Sequence, residues 1–165
     1  MTMPSASIAN ELGRLLTEKK LYLTTAESCT GGQIASALCA AKDTPSFYGS
    51  GFVTFTDEAK ITTLGVKKKT IDTHTAVSQH TVIEMTAGAL AHSGADVAIA
   101  VSGYAGPDGG EDGTPAGTIW FAWELPGSEA YTQCKKFEGD SEAVLLQAAN
   151  YAMAGAIMLL EELKA

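Results

Sequence analysis

Apolar residues recur along the chain at two spacings, and the switch between them outlines the fold. In SIANELGRLLTEKK, 7–20, Ile8, Leu12, Leu15 and Leu16 fall on one stripe, which predicts an amphipathic helix. LYLTT, 21–25, reads as a short strand. TGGQIASALCAA, 30–41, opens on Thr30 as a cap and runs through Ile34, Ala37, Leu38 and Ala41, a helix of small residues suited to close packing. GSGFVTF, 49–55, has the β-branched and aromatic content of a strand. TDEAKITTLGV, 56–66, predicts a short helix: Thr56 caps it, Asp57 and Glu58 fill its first turn, and Gly65 ends it.

The second half continues the alternation. SQHTVIEMTAGALAHSG, 78–94, is a helix with Val82, Met85, Ala89 and Leu90 inward and Gly94 as its stop. DVAIAVSG, 96–103, is a near-continuous apolar run, the mark of a strand covered on both faces. A glycine- and proline-rich loop follows at 104–117. TIWFAWEL (118–125) and AYTQCKKFE (130–138) pair as a hairpin around PGS, and 140–164 is a closing helix capped by Asp140. Strands alternating with helices, and one late hairpin, predict an α/β chain: one three-layer α/β/α domain with a mixed sheet over 1–165, without repeat or linker. Ligands of such sheets bind at the carboxyl ends of the strands. The loops 26–32, 55–60 and 103–117 are expected to meet there.

Composition narrows the function classes. Apolar residues make up 45% and charged residues 18% of 165, so the chain is globular rather than disordered. A formal net charge of −8 argues against nucleic acid as a partner, and the one basic run, KKK at 67–69, reads as a solvated turn. The N-terminus lacks the basic-then-apolar layout of a signal peptide. The apolar stretch 144–160 is broken by Gln147 and Asn150 and is too short to span a bilayer. A soluble cytoplasmic protein with no membrane partner is expected. Cys29, Cys39 and Cys134 form no CxxC pair, and His74, His80 and His92 lack ligand spacing, so neither a metal nor another cofactor is predicted.

The chemistry concentrates in TAESCTGGQ, 25–33. Ser28 lies where a strand passes into a helix, and the amides of Thr30, Gly31 and Gly32 are suited to holding an oxyanion. Taken alone, this feature reads first as a helix cap. Cys29 is the rival nucleophile, since a helix start lowers a thiol pKa, but no histidine stretch pairs with it and it reads as a small packing residue. A serine nucleophile needs a base. Lys60 is the candidate, provided that desolvation lowers its pKa from about 10.4 toward neutrality. The other reading of Lys60 is an exposed helix lysine paired with Asp57. The loop GYAGPDGGEDG lacks the GK[ST] of a phosphate-binding loop, and Asp108, Glu111 and Asp112 would repel phosphate. It reads as a pocket wall or as a surface turn.

In order along the chain, TTAESCTGG, GFVTF-DEAK-LGV, AVS, VSGYAGPDGG, GTPAGTIWFAW and F-GD resemble the motifs of the CinA C-terminal domain family. The resemblance runs from about residue 7 to the C-terminus and is to the stand-alone form; characterised members are nicotinamide mononucleotide amidohydrolases. It implies hydrolysis of a carboxamide on a small pyridine nucleotide, giving the nicotinate nucleotide and ammonia, in a homo-oligomer. It implies Ser28 as nucleophile and Lys60 as general base. Oxyanion and substrate contacts would come from Thr30, Gly31 and Gly32, or from Ser102, Gly103, Tyr104, Ala105 and Gly106.

Three departures stand out. Family members usually read VTYSNEAK, with a tyrosine working beside the serine and lysine; this chain reads VTFTDEAK, with Phe55. They usually read GDR…VR before the last helix, where the basic groups suit a nucleotide phosphate; here Ser141 and Leu145 stand instead. Tyr104 occupies a commonly aliphatic place. A missing proton-transfer group costs about 10²- to 10⁴-fold. A missing charge-assisted phosphate contact costs on the order of 10- to 100-fold. Weak or absent activity on the mononucleotide is therefore expected. The alternatives are an amidohydrolase for a different small amide, using Ser28, Lys60 and Tyr104, or a non-catalytic ligand-binding protein.

Overall fold

A computed structural model, describing residues 3–163, contains one mixed five-stranded sheet in the order β2-β1-β3-β4-β5. The strands are β1 (Leu23–Glu27), β2 (Tyr48–Val53), β3 (Val97–Gly103), β4 (Thr118–Glu124) and β5 (Tyr131–Lys136). β1 runs parallel to both β2 and β3, while β4 and β5 are antiparallel to their neighbours. Along β1 all five residues are buried, including three polar ones. Two of these are satisfied sideways: Thr24 Oγ1 donates to the Ser50 carbonyl at 2.9 Å, and Thr25 Oγ1 and the Tyr48 hydroxyl share a hydrogen at 2.6 Å.

Six helices cover the sheet: α1 (Ala6–Lys19), α2 (Gln33–Cys39), α3 (Asp57–Leu64), α4 (Lys68–His74), α5 (Gln79–Ser93) and α6 (Ser141–Glu162). α1, α2 and α6 bury Leu12, Leu16, Ile34, Leu38 and Ala152 with Phe121 and Trp123 of the sheet. α3, α4 and α5 bury Leu64, Ile71, Val82 and Met85 against Ala26 and Ala100 on the other side. This is the expected three-layer α/β/α arrangement. Its close contacts use glycine: a Cβ on Gly88 of α5 would run into the Leu64 carbonyl oxygen, and one on Gly155 of α6 into the Trp123 indole.

Several boundaries differ from the sequence expectation. β1 starts two residues later than LYLTT: the Tyr22 carbonyl is shared by the Asp96 and Val97 amides, and the ladder with β3 runs from Leu23 to Glu27. β2 stops at Val53, which leaves Thr54 and Phe55 outside the strand. The KKK run is not a turn: Lys67 precedes α4 and Lys68 and Lys69 open it, with buried Ile71 as the anchor. α6 has 22 residues, so by length and composition it is long enough to cross a membrane, contrary to the reading of 144–160 as too short. In this fold Val144, Ala148, Ala152, Ala156 and Leu160 are buried in the core instead. Lys164, the expected helix end, lies outside the described residues.

Candidate active site

At the carboxyl ends of β1 and β3 an open cavity of about 1020 Å³ has Ser28 and Lys60 in its wall. β1 delivers the serine. The Ser28 amide extends the ladder by donating to the Val101 carbonyl at 3.0 Å, after which the chain reverses into α2. The reversal passes through Gly31 and Gly32 at φ +55° and +101°, a region that side-chain-bearing residues rarely adopt. Ser28 is left 6% exposed.

Glu27, which sequence reasoning did not single out, organises this corner. Its buried carboxylate accepts the Thr30 hydroxyl at 2.7 Å and the amides of Gly32, Ile34 and Ala35 at 3.3, 3.0 and 2.9 Å. The start of α2 is thereby satisfied by an internal anion, which also meets the positive end of the helix dipole. Thr30 is therefore not the cap; Gly32 occupies that position, and the Gly31 amide donates to the Ser28 carbonyl at 3.1 Å. Thr30, Gly31 and Gly32 do not line the cavity. The usable signal was an acid at a strand end, just ahead of a glycine-opened helix.

α3 delivers the lysine. Thr56 caps it by accepting the Ala59 amide at 3.0 Å, and the first turn swings Lys60 back under the chain. Lys60 is 1% exposed rather than solvated, and it forms no ion pair with Asp57 among the described residues. Its Nζ lies 2.8 Å from Ser28 Oγ, 2.8 Å from the Thr54 carbonyl and 3.2 Å from the Phe55 carbonyl. Loss of water pushes its pKa below the usual 10.5, against a smaller opposing pull from Asp57 and Cys29. A charged ammonium donates to all three oxygens. A neutral amine has two N–H groups for the two carbonyls, which turns its lone pair toward the serine hydroxyl. The end of β2 at Val53 matters here, because it frees both carbonyls from the sheet.

Cys29, half-buried, also lines the cavity and packs against the core, but it is not activated: desolvation pushes its thiol up to about 12. Phe55, a residue 69% exposed, lines the cavity and brings only a backbone carbonyl to the lysine. Across from it, Ser102, Gly103, Tyr104, Ala105 and Gly106 form a wall from the end of β3. The Tyr104 hydroxyl has its pKa raised mainly by burial and next by the charge of Asp112.

The turn joining α4 to α5, Thr75 to Val77, supplies a wall that sequence reasoning missed. Thr75 sits at φ 69°, ψ 170°, a conformation almost reserved for glycine. It is held there because its carbonyl accepts Ser78 Oγ at 3.0 Å and Thr81 Oγ1 at 2.7 Å, while Ser102 Oγ donates to the Ala76 carbonyl at 2.8 Å. The AVS motif at 76–78 was its only trace in the sequence. Ser141 and Leu145 close the cavity from α6. Five carboxylates line it (Asp57, Asp72, Asp108, Glu111 and Asp112), and Lys60 is the single Lys, Arg or His among the described lining residues.

Comparison with known proteins places this arrangement. The sequence model of the CinA C-terminal domain matches residues 5–160. Protein YdeJ of Escherichia coli K12 is 53% identical over 154 residues, covering 93% of this chain and 89% of that protein. The nicotinamide-nucleotide amidohydrolase PncC of the same organism is 41% identical over 146 residues, 88% of each chain. A crystal structure of a competence-damaged protein (CinA) superfamily member from Klebsiella pneumoniae superposes with a TM-score of 0.93 at 52% identity, covering 96% of this chain and 98% of that one.

Proposed function

The chain belongs to the CinA C-terminal domain family, and on that footing we propose that it is a serine amidohydrolase of small carboxamides, weak on nicotinamide mononucleotide. The observation that carries this reading is the buried Lys60 Nζ, 2.8 Å from Ser28 Oγ at the cavity wall. Lys60 takes the serine proton as Oγ adds to the amide carbonyl. The tetrahedral intermediate then breaks its C–N bond, and the proton leaves Lys60 with departing ammonia. Water attacks the resulting serine ester, Lys60 takes a proton from it, and returns that proton to Oγ as the carboxylic acid leaves.

The oxyanion is stabilised from the 102–106 side. The amides of Ala105 and Gly106 are free of hydrogen bonds among the described residues, whereas those of Gly31 and Gly32 are occupied. Weakness on the mononucleotide follows from Phe55, which has no hydroxyl to pass a proton, and from Ser141 and Leu145, which offer no charge to a phosphate. The same reading makes the chain a cytoplasmic homo-oligomer, with Cys29, Cys39 and Cys134 kept as free thiols and the exposed Met158 side of α6 at the subunit contact. Light scattering at micromolar concentration should give more than a monomer mass. The decisive experiment is ammonia release from carboxamide substrates by the wild type and by Ser28→Ala. Equal rates from both would end the serine mechanism.

A further inference from the structure

The cavity combines two features that the serine and lysine do not explain. The first is its charge. Asp72 is paired with Lys68 at 2.7 Å, but Asp57, Asp108, Glu111 and Asp112 have no ion-pair partner among the described residues. The only Lys, Arg or His among the described lining residues, Lys60, is committed to Ser28 and two carbonyls. A phosphate entering here meets four uncompensated negative charges and no counter-charge. The second feature is aromatic. Phe55, a largely exposed residue, lines the cavity, and the half-buried Tyr104 lines it from the end of β3. Cavity-lining aromatic side chains flanked by carboxylates are the chemistry that recognises delocalised organic cations.

Resting on the Ser28–Lys60 reading above, we infer that the substrate is a phosphate-free cationic carboxamide of the N-substituted pyridinium class. The pyridinium ring lies against Phe55 and Tyr104 with its positive charge toward Asp108, Glu111 and Asp112, and the carboxamide reaches Ser28. Water is consumed, the amide C–N bond breaks, ammonia leaves and a carboxylate forms. That new negative charge faces the same acidic wall, so the charge that attracts the substrate also helps expel the product.

The test separates binding from turnover. Nicotinamide riboside, 1-methylnicotinamide and nicotinamide mononucleotide are titrated calorimetrically into Ser28→Ala, and ammonia release from each is measured with the wild type. The riboside should bind at least about 10-fold more tightly than the mononucleotide. Added salt should weaken riboside binding and strengthen mononucleotide binding, since it screens attraction and repulsion alike. Neutralising the loop with Asp108→Asn, Glu111→Gln and Asp112→Asn should narrow the preference at least about threefold. Mononucleotide binding as tight as riboside binding, or binding of none of the three, overturns the inference. Selective riboside binding without any wild-type hydrolysis would sustain the cavity's selectivity for phosphate-free cations and refute the amidohydrolase reading, and with it the substrate role.

Discussion

Replacing Lys60 with methionine probes both the chemistry and the energetics of the buried amine. The change keeps a long unbranched side chain in the space but removes the proposed base and the donors to Ser28 Oγ, Thr54 O and Phe55 O. Loss of a general base predicts a fall in turnover of about 10²- to 10⁴-fold, with substrate binding little changed. The stability effect has a sign that can be worked out. Burial lowers the lysine pKa in the folded protein, so between that value and the usual 10.5 the unfolded chain holds more protons than the folded one. Wild-type stability therefore rises with pH through that window, by up to about 1.4 kcal/mol per pH unit. Below the folded pKa both states are protonated and the full desolvation penalty is present; above 10.5 it is gone. Lys60→Met has no such proton to lose. Urea unfolding at a series of pH values from neutral to mildly alkaline should give a wild-type-minus-variant difference that climbs with pH. The wild-type activity should climb through the same window, because only the neutral amine accepts the serine proton. A flat stability difference, or a variant within about tenfold of wild-type turnover, would refute this account.

Four further outcomes are expected. Phe55→Tyr combined with Ser141→Arg should raise deamidation of nicotinamide mononucleotide more than either change alone, the first acting on turnover and the second on binding by on the order of 10- to 100-fold; ammonia release from all four proteins tests it. At pH 8, iodoacetamide should alkylate the exposed Cys39 and Cys134 but spare Cys29, whose thiol at about 12 leaves roughly one thiolate in 10⁴, as intact-mass spectrometry would register. Glu27→Ala should destabilise the fold by about 1.5–3 kcal/mol in denaturant titrations, because it strips the charged acceptor from Thr30, Gly32, Ile34 and Ala35. Gly88→Ala should destabilise by about 1–3 kcal/mol or more, seen as a lower melting temperature, since its Cβ meets the Leu64 backbone rather than a side chain that can move.

By itself the sequence determined the parts whose physics is local. Apolar spacing and capping chemistry marked most of the helices: Thr56 and Asp140 accept amides of their own first turns, and Gly65 and Gly94 end α3 and α5 at positive φ. The continuous apolar run of β3 announced a strand buried on both faces. α4 escaped because only Ile71 is buried in it and no stripe forms. The site divided along the same line. Ser28 was visible as a serine at a strand end, but Lys60 carried two opposite readings, solvated or buried, that no local pattern separates. Tertiary structure decided between them, because β2 ends at Val53 and leaves the Thr54 and Phe55 carbonyls to hold the amine against Ser28, 32 positions away in the chain. It also reassigned the start of α2. Glu27 joins the β1 ladder and folds its carboxylate onto amides up to eight residues ahead, a contact that exists only once strand and helix are packed at their observed angle.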